Sequence, residues 1–222
     1  MNYQAEMDRI LSDLVPGTKR LFLHSCCAPC SSYVIEYLSR YFRITVFYYN
    51  PNITDEEEYW KRAAEEQRLI ASMPTRYPVT YQEGRYDPEG FFGMAKGLEK
   101  CPEGQERCFG CYELRLTETA KQAKMGGYDY FATTLTISPL KKADVLNEIG
   151  MRLGAIYDIP YLCSDFKKKN GYKRSIELSR EYGLYRQDYC GCIFSKVARE
   201  QEKENANAEN IKSDITGCHG SF

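Results

Sequence analysis

Histidine is scarce: the 222 residues contain two, His24 and His219. That disfavours imidazole-rich metal sites and triads that need a histidine base. The chain also contains no GxxxxGK(S/T) phosphate loop and no serine-hydrolase elbow. Charge of one sign is missing too, since 30 Lys and Arg stand against 31 Asp and Glu for a net charge of −1. No global positive field advertises a nucleic acid, so any polyanion must be met by a local patch. No apolar run approaches the roughly 18 residues of a membrane span. The opening MNYQAEMDRILSDLVPG is acidic and has no apolar signal segment. These absences predict a cytoplasmic protein with no membrane partner.

Cysteine, by contrast, is plentiful, with ten residues. In a cytoplasmic chain, clustered thiols point to metal binding or redox chemistry rather than to structural disulfides. The 43% hydrophobic content supports a sizeable core without a metal staple.

Apolar runs and helical periodicities alternate along the chain. Strands are expected at 21–23, 43–52 with a loop at its end, 77–82, 128–139 and 155–166. Helices are expected from 31, over 54–73 with a Thr54/Glu57 capping box, and over 108–124 closed by Gly126-Gly127. Two more are expected at 142–153 and 175–182. Such alternation predicts an α/β fold, a parallel sheet with helices on both faces, whose ligands bind at the carboxyl ends of the strands. Residues 1–198 read as a single α/β metal-binding domain, and the polar residues 199–222 as a mobile tail.

Three thiol clusters stand out: Cys26-Cys27-Ala28-Pro29-Cys30, Cys108-Phe109-Gly110-Cys111 and Cys190-Gly191-Cys192. The first follows a strand, where many α/β proteins carry a glycine-rich phosphate loop. Cys108 and Cys111 share one face at a helix start, where the helix N-terminus favours the thiolate. Two converging CxxC pairs suit tetrahedral zinc or an iron–sulfur cluster. Seven clustered thiols exceed what one tetrahedral site can use, and adjacent Cys26-Cys27 is unusual for a zinc ribbon. Redox metal chemistry is therefore preferred. The CxC pair, Cys190 and Cys192, closes a labile disulfide or gives its thiols to separate metals. Cys101, Cys163 and Cys218 stand apart, and His24 reads as a hydrogen-bonded core residue.

Basic residues gather in the C-terminal half, among them Lys141, Lys167, Lys168, Lys169, Lys173, Arg174, Arg180 and Arg186. They are expected to track phosphate, with Lys141, Arg180 and Arg186 as candidate RNA contacts. The interleaved Tyr172, Tyr182, Tyr185 and Tyr189 are expected to stack on bases. A solvated basic face explains the same charges as well.

Three phrases, HSCCAPCSSYVIEYL, RCFGCYELRLTETAKQAKMGGYDYFATTLTISPLK and DFKKKNGYKRSIELSREYGLYRQDYCGC, together resemble the QueH family of epoxyqueuosine reductases. That family is similar in fold to the adenine-nucleotide-hydrolase-like domains of tRNA-modifying ATP pyrophosphatases, with cysteines in place of the phosphate loop. The resemblance implies reduction of epoxyqueuosine at the wobble position of tRNA to queuosine, a two-electron deoxygenation. It also implies a 4Fe–4S cluster on Cys26, Cys27, Cys108 and Cys111, with Cys30 as a candidate additional ligand. Cys190 and Cys192 are then a redox-active dithiol or ligands of an additional mononuclear iron, with Asp188 and Tyr189 as candidate proton donors or ligands. An electron donor of low potential, of unknown identity, is implied as a partner. The rivals are a non-catalytic zinc-binding tRNA adaptor and an ATP-using tRNA thiolase, the latter opposed by the missing phosphate loop.

Overall fold

The computed structural model describes residues 2–217, with side chains over 2–206. Four strands, β1 (Lys19–His24), β2 (Phe42–Tyr48), β3 (Val79–Glu83) and β4 (Tyr130–Thr133), form one sheet in the order β3-β2-β1-β4. Every pairing is parallel. Around them lie α1 (Tyr3–Asp13), α2 (Ala28–Leu38), α3 (Glu56–Ser72), α4 (Pro88–Ala95), α5 (Glu106–Met125), α6 (Ala143–Tyr157), α7 (Gly171–Glu181) and α8 (Ile193–Gly217).

Side chains of a strand alternate between faces, and β1 uses both. Leu21 and Leu23, with Ile44 and Val46 of β2, pack on Val34, Ile35 and Leu38 of α2 and on Met7 and Leu69. On the opposite face Phe22, Phe47 and Phe131 meet Leu116, Ala120 and Ala123 of α5 and Leu146, Ile149 and Leu153 of α6. Burying four consecutive β1 residues, Leu21 to His24, is what a central parallel strand requires. The strand order reverses beside β1, because β2 and β3 build outward on one side and β4 returns on the other. The cysteine loop leaves β1 at that reversal, where α/β sheets bind ligands.

The structure corrects several expectations. The N-cap of α3 is Asp55, whose Oδ1 accepts from the Glu58 amide at 3.3 Å, rather than Thr54. The fifth strand does not form. Residues 155–157 finish α6, Asp158 ends it with φ 50°, and Tyr161 alone makes an isolated bridge to Phe131. Pro160 has no amide to give a ladder there. Helices α1 and α4 were not expected. The polar stretch from residue 199 continues α8 through Gly217. Cys218 and His219 lie outside the described residues.

Candidate thiol site at the carboxyl ends of the strands

Residues 25–27 link β1 directly to α2. The Ser25 amide donates to Phe47 O at 3.0 Å, and Cys27, the helix N-cap, accepts with its carbonyl from the amides of Cys30 and Ser31. Pro29 sits in the first turn, where its missing amide costs nothing. This tight turn folds the sulfurs of Cys26, Cys27 and Cys30 together, all within 4.8 Å of one another. Hydrogen bonds from Cys27 and Cys30, with the charges of Lys141 and Arg115, pull the Cys26 thiol well below its ordinary pKa. Cys27 and Cys30 are pushed up as donors to it. Within the triad the environment thus favours ionisation at Cys26 over Cys27 and Cys30, in a donor set soft enough for metal.

The second pair lies in the first two turns of α5. Cys108 Sγ accepts from the Gly104 amide at 3.2 Å. Cys111 is buried, and loss of solvent pushes its thiol up to about 11. Burial at Cys111 thus works against the thiolate that the helix N-terminus favours. The CxC pair divides its sulfurs: Lys141 Nζ donates to Cys190 Sγ at 3.3 Å, and the Ser195 amide donates to Cys192 Sγ at 3.4 Å. Both thiols are free.

Among the described residues Cys26, Cys27 and Cys30 are the group of sulfurs within 4.8 Å of one another, and Cys108 and Cys111 are not part of it; the three clusters instead line two cavities that share wall residues. One, of about 620 Å³, is lined by Cys26, Cys27 and Cys30. The other is lined by Cys108, Cys111, Cys192 and Arg115. Cys190 and Lys141 line both. Burial pushes the Lys141 ammonium down, but the charges of Cys190, Tyr112 and Cys26 outweigh it, so its pKa is raised and it stays a cation.

A family model described as epoxyqueuosine reductase QueH matches residues 21–198. Relatives bearing that name include a Staphylococcus epidermidis protein, 41% identical over 220 residues, covering 96% of this chain and 90% of the relative. One from Streptococcus pyogenes is 40% identical over 237 residues, covering 100% and 93%. One from Thermotoga maritima is 31% identical over 188 residues, covering 82% and 93%. The chain belongs to the QueH family of epoxyqueuosine reductases.

Within this QueH fold the other expected residues divide. Arg186, Tyr172, Asp188 and Tyr189 line the larger cavity beside Lys141, whereas the exposed Arg180 on α7 does not. Tyr185 is engaged elsewhere, its ring under Lys61 Nζ at 3.6 Å and its hydroxyl on Glu58. Tyr182 packs against the core. Much of the basic patch is neutralised: Lys167 pairs with Asp165, Lys169 with Asp8 and Arg174 with Glu36. Asp188 is held below its ordinary pKa by a hydrogen bond from Lys203, so it is an anion. Tyr189 is raised by burial and keeps its phenolic proton, so of the two Tyr189 has a proton to give.

His24 is the core histidine expected. Its Nε2 donates to Tyr49 O at 3.1 Å and its Nδ1 accepts from Thr133 Oγ1 at 2.9 Å, a tautomer assigned from these partners. Cys163 is a buried core thiol, and Cys101, whose Sγ donates to Glu106, is not among the residues that line either cavity. Two buried groups at the site, Glu66 and Arg115, were not anticipated. Arg115 was legible from spacing: positions 108, 111 and 115 share a helix face.

Proposed function

We propose that this chain reduces epoxyqueuosine in tRNA to queuosine with electrons delivered through a 4Fe–4S cluster. The observation that carries the reading is the convergence of three thiols on a cavity of about 620 Å³ at the sheet's switch point. The donor set fits such a cluster, being soft, with the Cys26 thiol made more acidic, and flanked by the half-buried Lys141 and the buried Arg115. Cys26, Cys27, Cys108 and Cys111 would hold it, with Cys30 as the additional ligand candidate. Cys190 and Cys192 serve as the redox-active dithiol or hold a mononuclear iron. When bound, a 4Fe–4S cluster supplies electrons singly at low potential.

The reaction balances with two electrons and two protons. Both C–O bonds of the epoxide break, the oxygen leaves as water, and the two carbons form a double bond. The electrons come from a low-potential one-electron donor, and the chemistry takes place in the cytoplasm. The cavity has the volume of a small-ligand site, enough for a modified base withdrawn from an anticodon loop. Tyr172 and Tyr189 give it aromatic faces, and Arg186 gives it positive charge. Lys141 and Tyr189 hold protons at Nζ and the phenol oxygen on its wall.

Anaerobically purified protein is expected to be brown, with about four irons and matching sulfide per chain, and to convert epoxyqueuosine tRNA given reduced donor. Cys108→Ala is expected to lose most of that iron and more than about 100-fold in conversion, a loss at least as large as second-shell changes cause. An iron-replete, fully active variant would remove Cys108 from the ligand set. Colourless protein holding one zinc would favour the adaptor.

A further inference from the structure

Arg115 is a buried arginine, 1% exposed, with no carboxylate in salt-bridge reach among the described residues. Each of its contacts is neutral. Its Nε donates to Cys111 O at 3.3 Å, its Nη1 donates to Asn50 Oδ1 at 3.4 Å, and its buried Nη2 has no partner among the described residues. Arginine cannot shed its proton inside a protein. A buried charge left unpaired costs several kcal/mol, so a fold that keeps one here compensates it with an anion. Salt bridges elsewhere in the chain show the contrast: the equally buried Arg62 lies 2.6 Å from Glu58.

The ionisable groups that bear on Arg115 are one thiol from each of the three clusters, Cys111, Cys190 and Cys26, and the Tyr112 phenol. The guanidinium is also fixed in place between them. Asn50, which receives its Nη1, donates in turn to Ser25 O at 2.9 Å, next to Cys26. One chain of hydrogen bonds thus runs from Cys111 on α5 through Arg115 and Asn50 to the loop after β1.

We propose that Arg115 is the buried counter-charge of the cluster, placed between the Cys26-Cys27 loop and Cys111 to favour binding of a net-negative cluster and its reduction. The inference rests on the cluster reading above. Arg115 is a positioning residue, because it acts on the cluster's charge and not on the substrate. Each electron added makes a thiolate-bound cluster more negative, so a fixed neighbouring cation favours the reduced form and raises the potential. Removing it shifts the potential down.

Arg115→Met removes the charge at similar length, and Arg115→Lys keeps it. The readouts are iron and sulfide per chain after anaerobic reconstitution, and the cluster's midpoint potential by optical and paramagnetic-resonance titration. Apo-protein melting serves as the control for folding. Arg115→Met is expected to load poorly, or to load with a potential lowered by at least a tenfold change in the reduction equilibrium, about 59 mV for one electron. Arg115→Lys is expected to restore most of the loss. Arg115→Met that loads fully at the wild-type potential overturns the proposal. So does Arg115→Lys failing as completely as Arg115→Met, whether both apo-proteins melt like wild type or both are unfolded, because shape and not charge would then be what matters. Wild-type protein that takes up no iron and sulfide overturns the cluster reading together with this one, which separates the two failures.

Discussion

At the scale of single residues, two buried groups on opposite sides of β1 should shape the acid–base behaviour of the fold. His24 is fully buried, and loss of solvent lowers its pKa from 6.5 to about 3. A histidine kept neutral in the fold contributes stability that is present above pH 6.5 and lost as pH falls toward 3. Glu66 is also fully buried, and loss of solvent raises it from 4.5 to about 7 against hydrogen bonds from Ser31 and Ser25. A carboxyl that keeps its proton in the fold contributes stability that is complete below pH 4.5 and lost as pH rises to 7. Between about 4.5 and 6.5 the two slopes oppose each other. Glu66→Gln removes one of them. Relative to wild type, its unfolding free energy should rise on the order of 3 kcal/mol between pH 4.5 and 7, at 1.36 kcal/mol per unit. Urea unfolding of cluster-free, reduced protein across that range measures it; a constant difference between the two proteins would refute the assignment.

At the scale of elements, the loop between Cys190 and Cys192 explains why glycine separates the two thiols. Gly191 has φ +109°, a conformation that L side chains rarely adopt, and a Cβ there would stand 2.8 Å from Ile53 Cγ1 and 3.1 Å from Arg62 Nη1. The same Arg62 and Asn52 donate to Cys190 O, which clamps the loop onto the β2–α3 connection. Gly191→Ala is expected to cost about 1–3 kcal/mol in backbone strain. If the pair reacts as proposed, conversion of epoxyqueuosine tRNA should fall at least about tenfold, since misplacing a reacting group by an ångström costs more than that, while the iron of the proposed cluster stays. Iron and sulfide content beside a turnover assay tests this; wild-type turnover would mean the pair needs no fixed placement.

The same scale shows what was legible beforehand. β1, the cysteine loop and α5 could be read because each has an unambiguous local signal: an apolar run, a strand–helix junction, and a helix with Gly126-Gly127 at its end. The strand expected after α6 failed because IYDIPYL is as apolar as a strand, yet its first residues close a helix and its proline leaves no ladder donor. Helix α4 was hidden in FFGMA, a run too short for periodicity to show. The triad of Cys26, Cys27 and Cys30 was visible as a motif, but the pairing of basic residues with acids 138 or more positions away, as in Arg174 with Glu36, is tertiary information.

At the scale of the whole molecule, a chain of net charge −1 must hold a polyanion by placement, not by field. The ion pairs of Lys167, Lys169 and Arg174 leave the larger cavity's own cations as the groups that can meet phosphate beside the thiols. Lys141 is turned inward onto Cys190, so Arg186 on the cavity wall is the better placed of the candidates, and Arg180 lies outside it. Each phosphate contact contributes about one to the slope of log affinity against log salt. Arg186→Ala should therefore weaken tRNA binding at low salt and reduce that slope by about one, without changing iron content. Arg180→Ala should leave both affinity and slope near wild type. Fluorescence anisotropy with labelled tRNA over a salt series, on the iron-loaded protein, separates the two variants. Equal losses from both would mean that tRNA lies along the outer face of α7, and that the cavity receives the base from there without any phosphate entering it.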